Sequence, residues 1–375
     1  MTGSADLLRP SLYAQHRKAG ATLGDEGGWE MPLSYGNTIR EYRLARTQAG
    51  IIDISHMGRF SIRGDGALNL LEKLLTHDVA HQEDNTAHYT LLCNGRGGII
   101  DHALCLRLED RWLLTTSPLG RHRVAAHLKE HSHGLDVQIE DQTATTSHLY
   151  LTGPAAASRL DAVLDEKVSQ LKLASARSGT MMMAPYVMVR SAAAGQWALE
   201  VILPNMAAGL AWDYITAKAG DYRFDPVGLA VWDLMRIEAG TVRFGHEINE
   251  TVDPIMAGLD HWVHLEREFL GAPAIRGILQ KGPSRRLAGL VLSAPSQEQP
   301  PPIPRQGTSV HLMDRTEIGT VTSGSFSPHL EKTIAMAYVK PEHSKPGTKL
   351  CVLAEAQPWE ALVVALPFYR ADSRI

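Results

Sequence analysis

The chain has 375 residues, 44% of them hydrophobic and 21% charged, a composition that excludes a disordered chain and leaves material for two or three domains. Lys and Arg number 37 against 41 Asp and Glu, for a formal net charge of −4, and no basic block of the kind that grips phosphate backbones is present, so no nucleic-acid partner is expected. Cys93, Cys105 and Cys351 lie far apart with no CxxC pair, which speaks against a disulfide framework or thiolate zinc site and for a reducing compartment.

Met1 to Pro10 lacks the order of a secretory signal or transit peptide, and no apolar run reaches the roughly 18 residues of a membrane span. The expected location is cytoplasmic, away from membranes. From Gly64, a Gly-Asp-Gly turn precedes Ala67, Leu70, Leu71, Leu74 and Leu75 at helical spacing, which predicts an amphipathic helix with one buried face. His88 to Thr90 and LLCN, the turn Gly95 to Gly98, IIDHALCLRL, a turn at Glu109 to Arg111 and WLLTT read as a meander of strands. No helix follows the Gly-rich turn, so it reads as a hairpin rather than a phosphate loop.

Helical stretches are expected at Arg121 to His131, Ala155 to Leu164, Met206 to Ala219 and Leu229 to Ala239, with strand-like LYLTG and ALEVILP between them. The alternation lacks a regular βαβ rhythm, which predicts an α+β fold. The Pro-rich stretch Ser293 to Gly307 reads as a loop. After it, IGTVTSG, TIAMAYV, KLCVLAE and ALVVALP predict a closing β-barrel of about 80 residues.

The chain has no GxSxG, HExxH, Walker or GxGxxG motif. His127, His131 and His133 cluster, the first two at i, i+4, which is ligand spacing. Their polar surroundings at a helix end instead suggest a solvated terminus where cationic side chains suit the dipole, so no metal is expected. Strand alternation places His102 on one face with Ile100, Leu104, Leu106 and Leu108, and Asp101, Ala103, Cys105 and Arg107 on the other. His102 is then either a hydrogen-bonded core imidazole or part of a cavity wall. Glu200 ends the apolar stretch ALE and, facing inward, needs a donor such as Arg236 or a ligand amide.

Seven colinear blocks carry a resemblance: GGWEMP (Gly27 to Pro32), DISHMGRF (Asp53 to Phe60), LLTHDV, HYTLLCNGRGGIID (His88 to Asp101), RIEAGTVRFGHEI (Arg236 to Ile248), IGTVTSGSFSPHL (Ile318 to Leu330) and PFYR (Pro367 to Arg370). From end to end the chain resembles the T-protein, or aminomethyltransferase, family of the glycine cleavage system and the tetrahydrofolate-dependent demethylases around it. The resemblance implies a three-domain clover-leaf. Residues 1–284 would form two interleaved α+β units, roughly 1–55 with 145–284 and 56–144, and 285–375 the barrel.

The resemblance also implies tetrahydrofolate as the one-carbon partner, a small-molecule or lipoyl-bound donor that includes lipoylated H-protein, and a monomer. Where the family has two adjacent acids after the Gly-Gly hairpin, the second credited with catalysis, this chain has Asp101 then His102. The family's Arg-Thr-Gly-Tyr-Thr-Gly-Glu signature reads RSAAAGQWALE, keeping Arg190, Gly195 and Glu200, and its Gly-Leu-Gly-Ala-Arg-Asp reads GLAVWD, with Trp232 in place of the arginine. Implied roles are Glu200 on the pterin edge, Tyr89, Met57 and Thr116 along the channel, Trp232 stacking or plugging it, Arg370 on the acidic tail, and Asp101 with His102 at the reacting carbon. The leading expectation is aminomethyl transfer to tetrahydrofolate. A tetrahydrofolate-dependent methyltransferase or demethylase on another small molecule, or a non-catalytic homologue, are the alternatives.

Overall fold

The structure is a computed structural model describing residues 7–164, 167–181, 183–217, 222–293 and 301–370. It is α+β, with two large antiparallel-rich sheets, a two-stranded ribbon of Thr22–Glu26 and Trp29–Ser34, and a closed six-stranded barrel. The five-stranded sheet runs in the spatial order Thr86–Cys93, Ile99–Arg107, Trp112–Thr116, Gly58–Arg63 and Gln138–Asp141, all antiparallel. One face is covered by the helices Ala67–Leu74 and Arg121–His131, whose Leu70, Leu71, Leu74, Val124 and Leu128 pack on Phe60, Ala103, Cys105 and Leu114. The predicted apolar stripe is therefore real, and its burial is what makes so short a helix stable, since eight residues are too few to hold by propensity alone.

One detail of the alternation differs from expectation. Leu92 pairs with Asp101 but Cys93 with Ile99, so Ile100 is an extra, bulged residue. It packs with Ala103 and Cys105 under the helices, not with Leu104 and Leu106. A bulge shifts side-chain parity by one, so the periodic reading holds only C-terminal to it.

The six-stranded sheet has the order Ala176–Met181, Ala184–Ser191, Ala198–Pro204, Thr146–Thr152, Gly50–Asp53 and Asp225–Pro226, with only the last pair parallel. Its inner face meets the free face of the first sheet: Ala87, Leu104, Leu106 and Leu113 pack against Ala176, Val187, Val189 and Ile202. The predicted helices appear at Arg121–His131, Ala156–Asp161, Asn205–Ala217 and Leu229–Glu238, and residues 218–219 lie outside the described residues.

The barrel runs Arg286–Ser293, Lys332–Val339, Glu317–Ser327, Ser309–His311, Lys349–Ala354 and Gln357–Val364, the last strand closing on the first. Residues 301–307 lead into it without strand structure, and 294–300 fall outside the described residues. Two buried carboxylates fasten it to the rest. Glu238 accepts from Tyr42 Oη, Arg46 Nη2 and Ser327 Oγ, and Glu247 from Arg236 Nη1, Thr322 Oγ1 and Ser323 Oγ. Burying carboxylates demands such complete pairing, which is why hydroxyls recur in the barrel stretch Thr322 to Ser327. No helix is long and apolar enough to cross a membrane among the described residues.

Candidate functional site

Between the two sheets, and closed by the helix that carries Trp232 and the short turn that carries Trp262, lies a cavity of about 630 Å3, within the usual range for small-molecule sites. Of the residues singled out from the sequence, His102, Glu200, Tyr89, Met57 and Trp232 all line it. Three others do not.

Thr116 is buried on the opposite side of its strand, beside Gly58, and Thr115 and Ser117 take its expected place in the wall. Register explains the exchange: Thr115 pairs with Leu104 on the cavity face and Thr116 with Ala103 on the helix face. Arg370 is exposed and forms no part of the wall. The backbone before it is held at the barrel seam, where Tyr369 N donates to Glu238 O at 2.8 Å.

Asp101 also corrects an expectation, because it lies behind the wall rather than in it. Fully buried, it accepts from Ser117 N and Ser117 Oγ, both at 3.0 Å, through Oδ2 and from His102 N at 2.9 Å through Oδ1. It fixes the loop from Ser117 to Gly120, of which Ser117 and Pro118 face the cavity. A Cβ at Gly120 would stand 2.0 Å from Asp101 Oδ2. Gly120→Ala is therefore expected to cost about 1–3 kcal/mol, read as a lowered denaturant midpoint; an unchanged midpoint would show that the loop yields freely.

His102 shows 15% side-chain exposure, and its Nδ1 sits 3.5 Å from Asp101 Oδ1. That separation is too long for a hydrogen bond, and among the described residues Nδ1 is otherwise without a partner. The imidazole is thus seated over a carboxylate with its other nitrogen, Nε2, left for whatever occupies the cavity.

Glu200 sits mid-sheet between Val189 and Tyr150. Its donor is not Arg236, which is engaged by Asp233 at 2.9 Å and Glu247 at 2.6 Å. Instead His148, two residues from Tyr150 and on the same face, meets Glu200 Oε2 at 2.9 Å. Burial holds His148 below its ordinary pKa against the pull of Glu200, so the neutral ring donates from Nε2. Among the described residues no protein donor meets Oε1.

Tyr89 stacks on Trp262 with ring centroids 5.2 Å apart, and burial together with the Glu200 charge raises its phenol pKa. Trp232 meets Tyr150 edge-on, and its buried Nε1 lacks a hydrogen-bond partner. Met57 stands on a turn locked by Arg59, whose guanidinium donates to Met57 O, Ser55 O, Thr143 O and Thr146 O. The DISHMGRF block thus works structurally through its arginine and presents His56 and Met57 to the cavity.

Several wall residues escaped the sequence reading. Trp262 arrives from a remote 3-10 turn, Asp260–Trp262, and nothing in its local sequence marks it. Arg190 was legible only as a retained signature residue. Strand alternation turns its guanidinium to the outer face of the sheet with Met188 and Leu199, where it lies over Trp197 at 4.9 Å and donates to Ser191 O and Ala198 O; burial lowers it to about 10, so it stays charged at neutral pH. Arg243 and Arg236, by contrast, are neutralised by Glu26, Asp233 and Glu247. Burial pushes Asp233 up, but Arg236 and Arg243 outweigh it and hold the carboxyl below its ordinary range.

Six histidines line the cavity: His56, His77, His88, His102, His261 and His264. His77 stacks on His88 at 4.3 Å and meets His264 edge-on at 5.1 Å. Burial takes His56 down to about 3, with Arg243 and Arg59 adding to the effect, and His77 to about 4, with His88 and His264 adding. Unfolded histidine titrates near 6.5, so below that pH the unfolded chain binds more protons and stability falls with pH. The urea midpoint is expected to drop steadily from about pH 6.5 towards pH 3, and His56→Asn to flatten that limb; an unaltered slope in the variant would assign the acid sensitivity elsewhere.

Comparison with known proteins agrees with this architecture. The GCVT N-terminal domain matches residues 12–267, and the glycine cleavage T-protein C-terminal barrel domain residues 285–370. The chain belongs to the glycine cleavage T-protein family. It is 32% identical to an aminomethyltransferase of Desulfitobacterium hafniense over 97% of this chain and 99% of that one, and 34% identical to one of Streptomyces coelicolor over 98% and 99%. The crystal structure of glycine cleavage system aminomethyltransferase T from Bartonella henselae superposes with a TM-score of 0.89 at 31% identity, covering 97% of this chain and 98% of that one. The family is one of transferases, and the fold of this member follows it over 97% of the chain.

Proposed function

We propose that this chain transfers a one-carbon unit to tetrahydrofolate in the cavity between the two sheets, with an aminomethyl group on the lipoyl arm of an H-protein as donor. The observation that carries the reading is Glu200: a buried carboxylate in the wall, oriented by His148 through Oε2 and left open at Oε1. Such a group matches the paired amino and N–H donors of a pterin edge, with charge-assisted hydrogen bonds. Tyr89, Trp262 and Trp232 supply flat walls for a ring system. The residues present therefore fit tetrahydrofolate, which when bound supplies the nucleophilic nitrogen that accepts the carbon.

In this reading His102 acts at the reacting end. A carboxylate there would stabilise positive charge on the transferred carbon; a neutral imidazole does so weakly and a protonated one opposes it. It suits instead the removal of a proton through Nε2, with Asp101 beneath it as a positioning residue. That substitution favours a second reading, a methyl or demethylation reaction on a different small molecule. Assay with aminomethylated H-protein separates the two. Under the first reading His102→Asp raises the rate about tenfold or more; no gain, together with retained folate binding, favours the second.

We further read the chain as a cytoplasmic monomer in which 1–55 with 145–284 and 56–144 form interleaved units and 285–375 the barrel.

A further inference from the structure

The helix Arg121–His131 ends in a group of side chains that the cavity does not use. The ligating atoms of His127, Glu130 and His131 all lie within 4.8 Å of one another, because i, i+3 and i+4 share one helical face. The two imidazoles meet edge-on, centroids 4.7 Å apart. His127 is not the solvated terminal histidine that the polar sequence around it suggests: it is only 8% exposed, and its Nε2 is enclosed with no hydrogen-bond partner among the described residues. A buried polar atom left alone is uncommon in folded proteins and asks for something that meets it.

We propose that His127, Glu130 and His131 bind one divalent transition-metal ion of the zinc class, through His127 Nε2, a ring nitrogen of His131 and a carboxylate oxygen of Glu130, with a fourth position open to solvent. Two imidazoles and one carboxylate are a donor set that suits zinc, and three protein ligands plus water complete its tetrahedron. Glu130 is exposed and His131 half-buried, so both have room to turn in from 4.8 Å to the closer spacing that bonds of about 2 Å require. The enclosed His127 supplies the fixed ligand.

The surroundings favour a cation here on balance. Glu130 and His131 sit on the last turn of their helix, where unpaired carbonyls give the terminus partial negative charge. Lys73, on the facing helix, is the opposing charge, and the Glu130 carboxylate offsets it. His133 is exposed beyond the helix end and lies outside the group.

The test is calorimetric titration of the full chain with zinc ion in metal-free buffer at neutral pH, with cobalt(II) absorption as a second readout. We expect one ion per chain at micromolar affinity, weakened about tenfold or more by Glu130→Gln and by His131→Asn, and unaffected by His133→Ala. The cobalt spectrum should show tetrahedral bands without thiolate charge transfer. Glu130 is exposed, so its variant keeps the fold, and thermal melts check both. Absence of zinc binding below the millimolar range, or full-strength binding in both variants, would overturn the proposal, and the second result would place the ion among the cavity histidines instead.

Discussion

Replacing Glu200 with glutamine is expected to weaken tetrahydrofolate binding by about 10- to 100-fold while leaving the fold intact. A hydrogen bond to a charged group contributes about 1.5–3 kcal/mol, and the proposed contact uses the carboxylate's charge at Oε1. Glutamine keeps the shape and still offers an oxygen to His148 Nε2, whose present bond is 2.9 Å. It replaces the other acceptor with an amide that faces donor against donor. Stability should therefore change by less than about 1 kcal/mol, and the loss should appear in calorimetric affinity alone. Equal affinity in variant and parent would remove Glu200 from the pterin site.

Removal of His102 is the second large effect. His102→Ala should lower turnover about 100-fold or more, the usual range for a positioned acid or base, with little loss of stability. Among the described residues its ring makes no hydrogen bond to the protein: Nδ1 stands 3.5 Å from Asp101 Oδ1 without a partner. Asp101 keeps its three bonds, since the one from position 102 comes from the backbone N–H. Intact turnover with a drop of several kcal/mol in stability would instead identify His102 as a core imidazole. Comparing His102→Ala with His102→Asp also separates a missing proton acceptor from a missing charge.

Much of this site was legible in the sequence because the information was local. The i, i+3, i+4 leucines of Ala67–Leu74 and the Gly-rich turn after Cys93 define a helix and a hairpin without reference to the rest of the chain. The inward aim of His102 and Glu200 followed from apolar neighbours. Parity was the weak point: the bulge at Ile100 and the register of Thr115 against Leu104 decide which side chain faces the cavity, and neither leaves a trace in residue type.

Long-range partners were not legible at all. Glu200 is satisfied by His148, 52 positions away and two strand residues along a neighbouring strand, and Trp262 reaches Tyr89 from outside both sheets. Arg236 looked available to Glu200 because nothing in the sequence says that Glu247 and Asp233 already hold it. His127 illustrates the reverse error, since a polar heptapeptide concealed a buried imidazole.

One-carbon transfer in this cavity requires that it accept a reduced folate, so the most direct measurement is calorimetric titration of the purified protein with tetrahydrofolate and with 5-methyltetrahydrofolate. We predict saturable one-to-one binding of tetrahydrofolate in the micromolar range, with preference for the unmethylated form if the donor carries an aminomethyl group. Saturation by 5-methyltetrahydrofolate in preference would point to methyl chemistry at the same site. No binding of either form at millimolar concentration would contradict the central claim, and would mean that Trp232 and the rebuilt segment from Arg190 to Glu200 have closed the site and left a T-protein fold without its reaction.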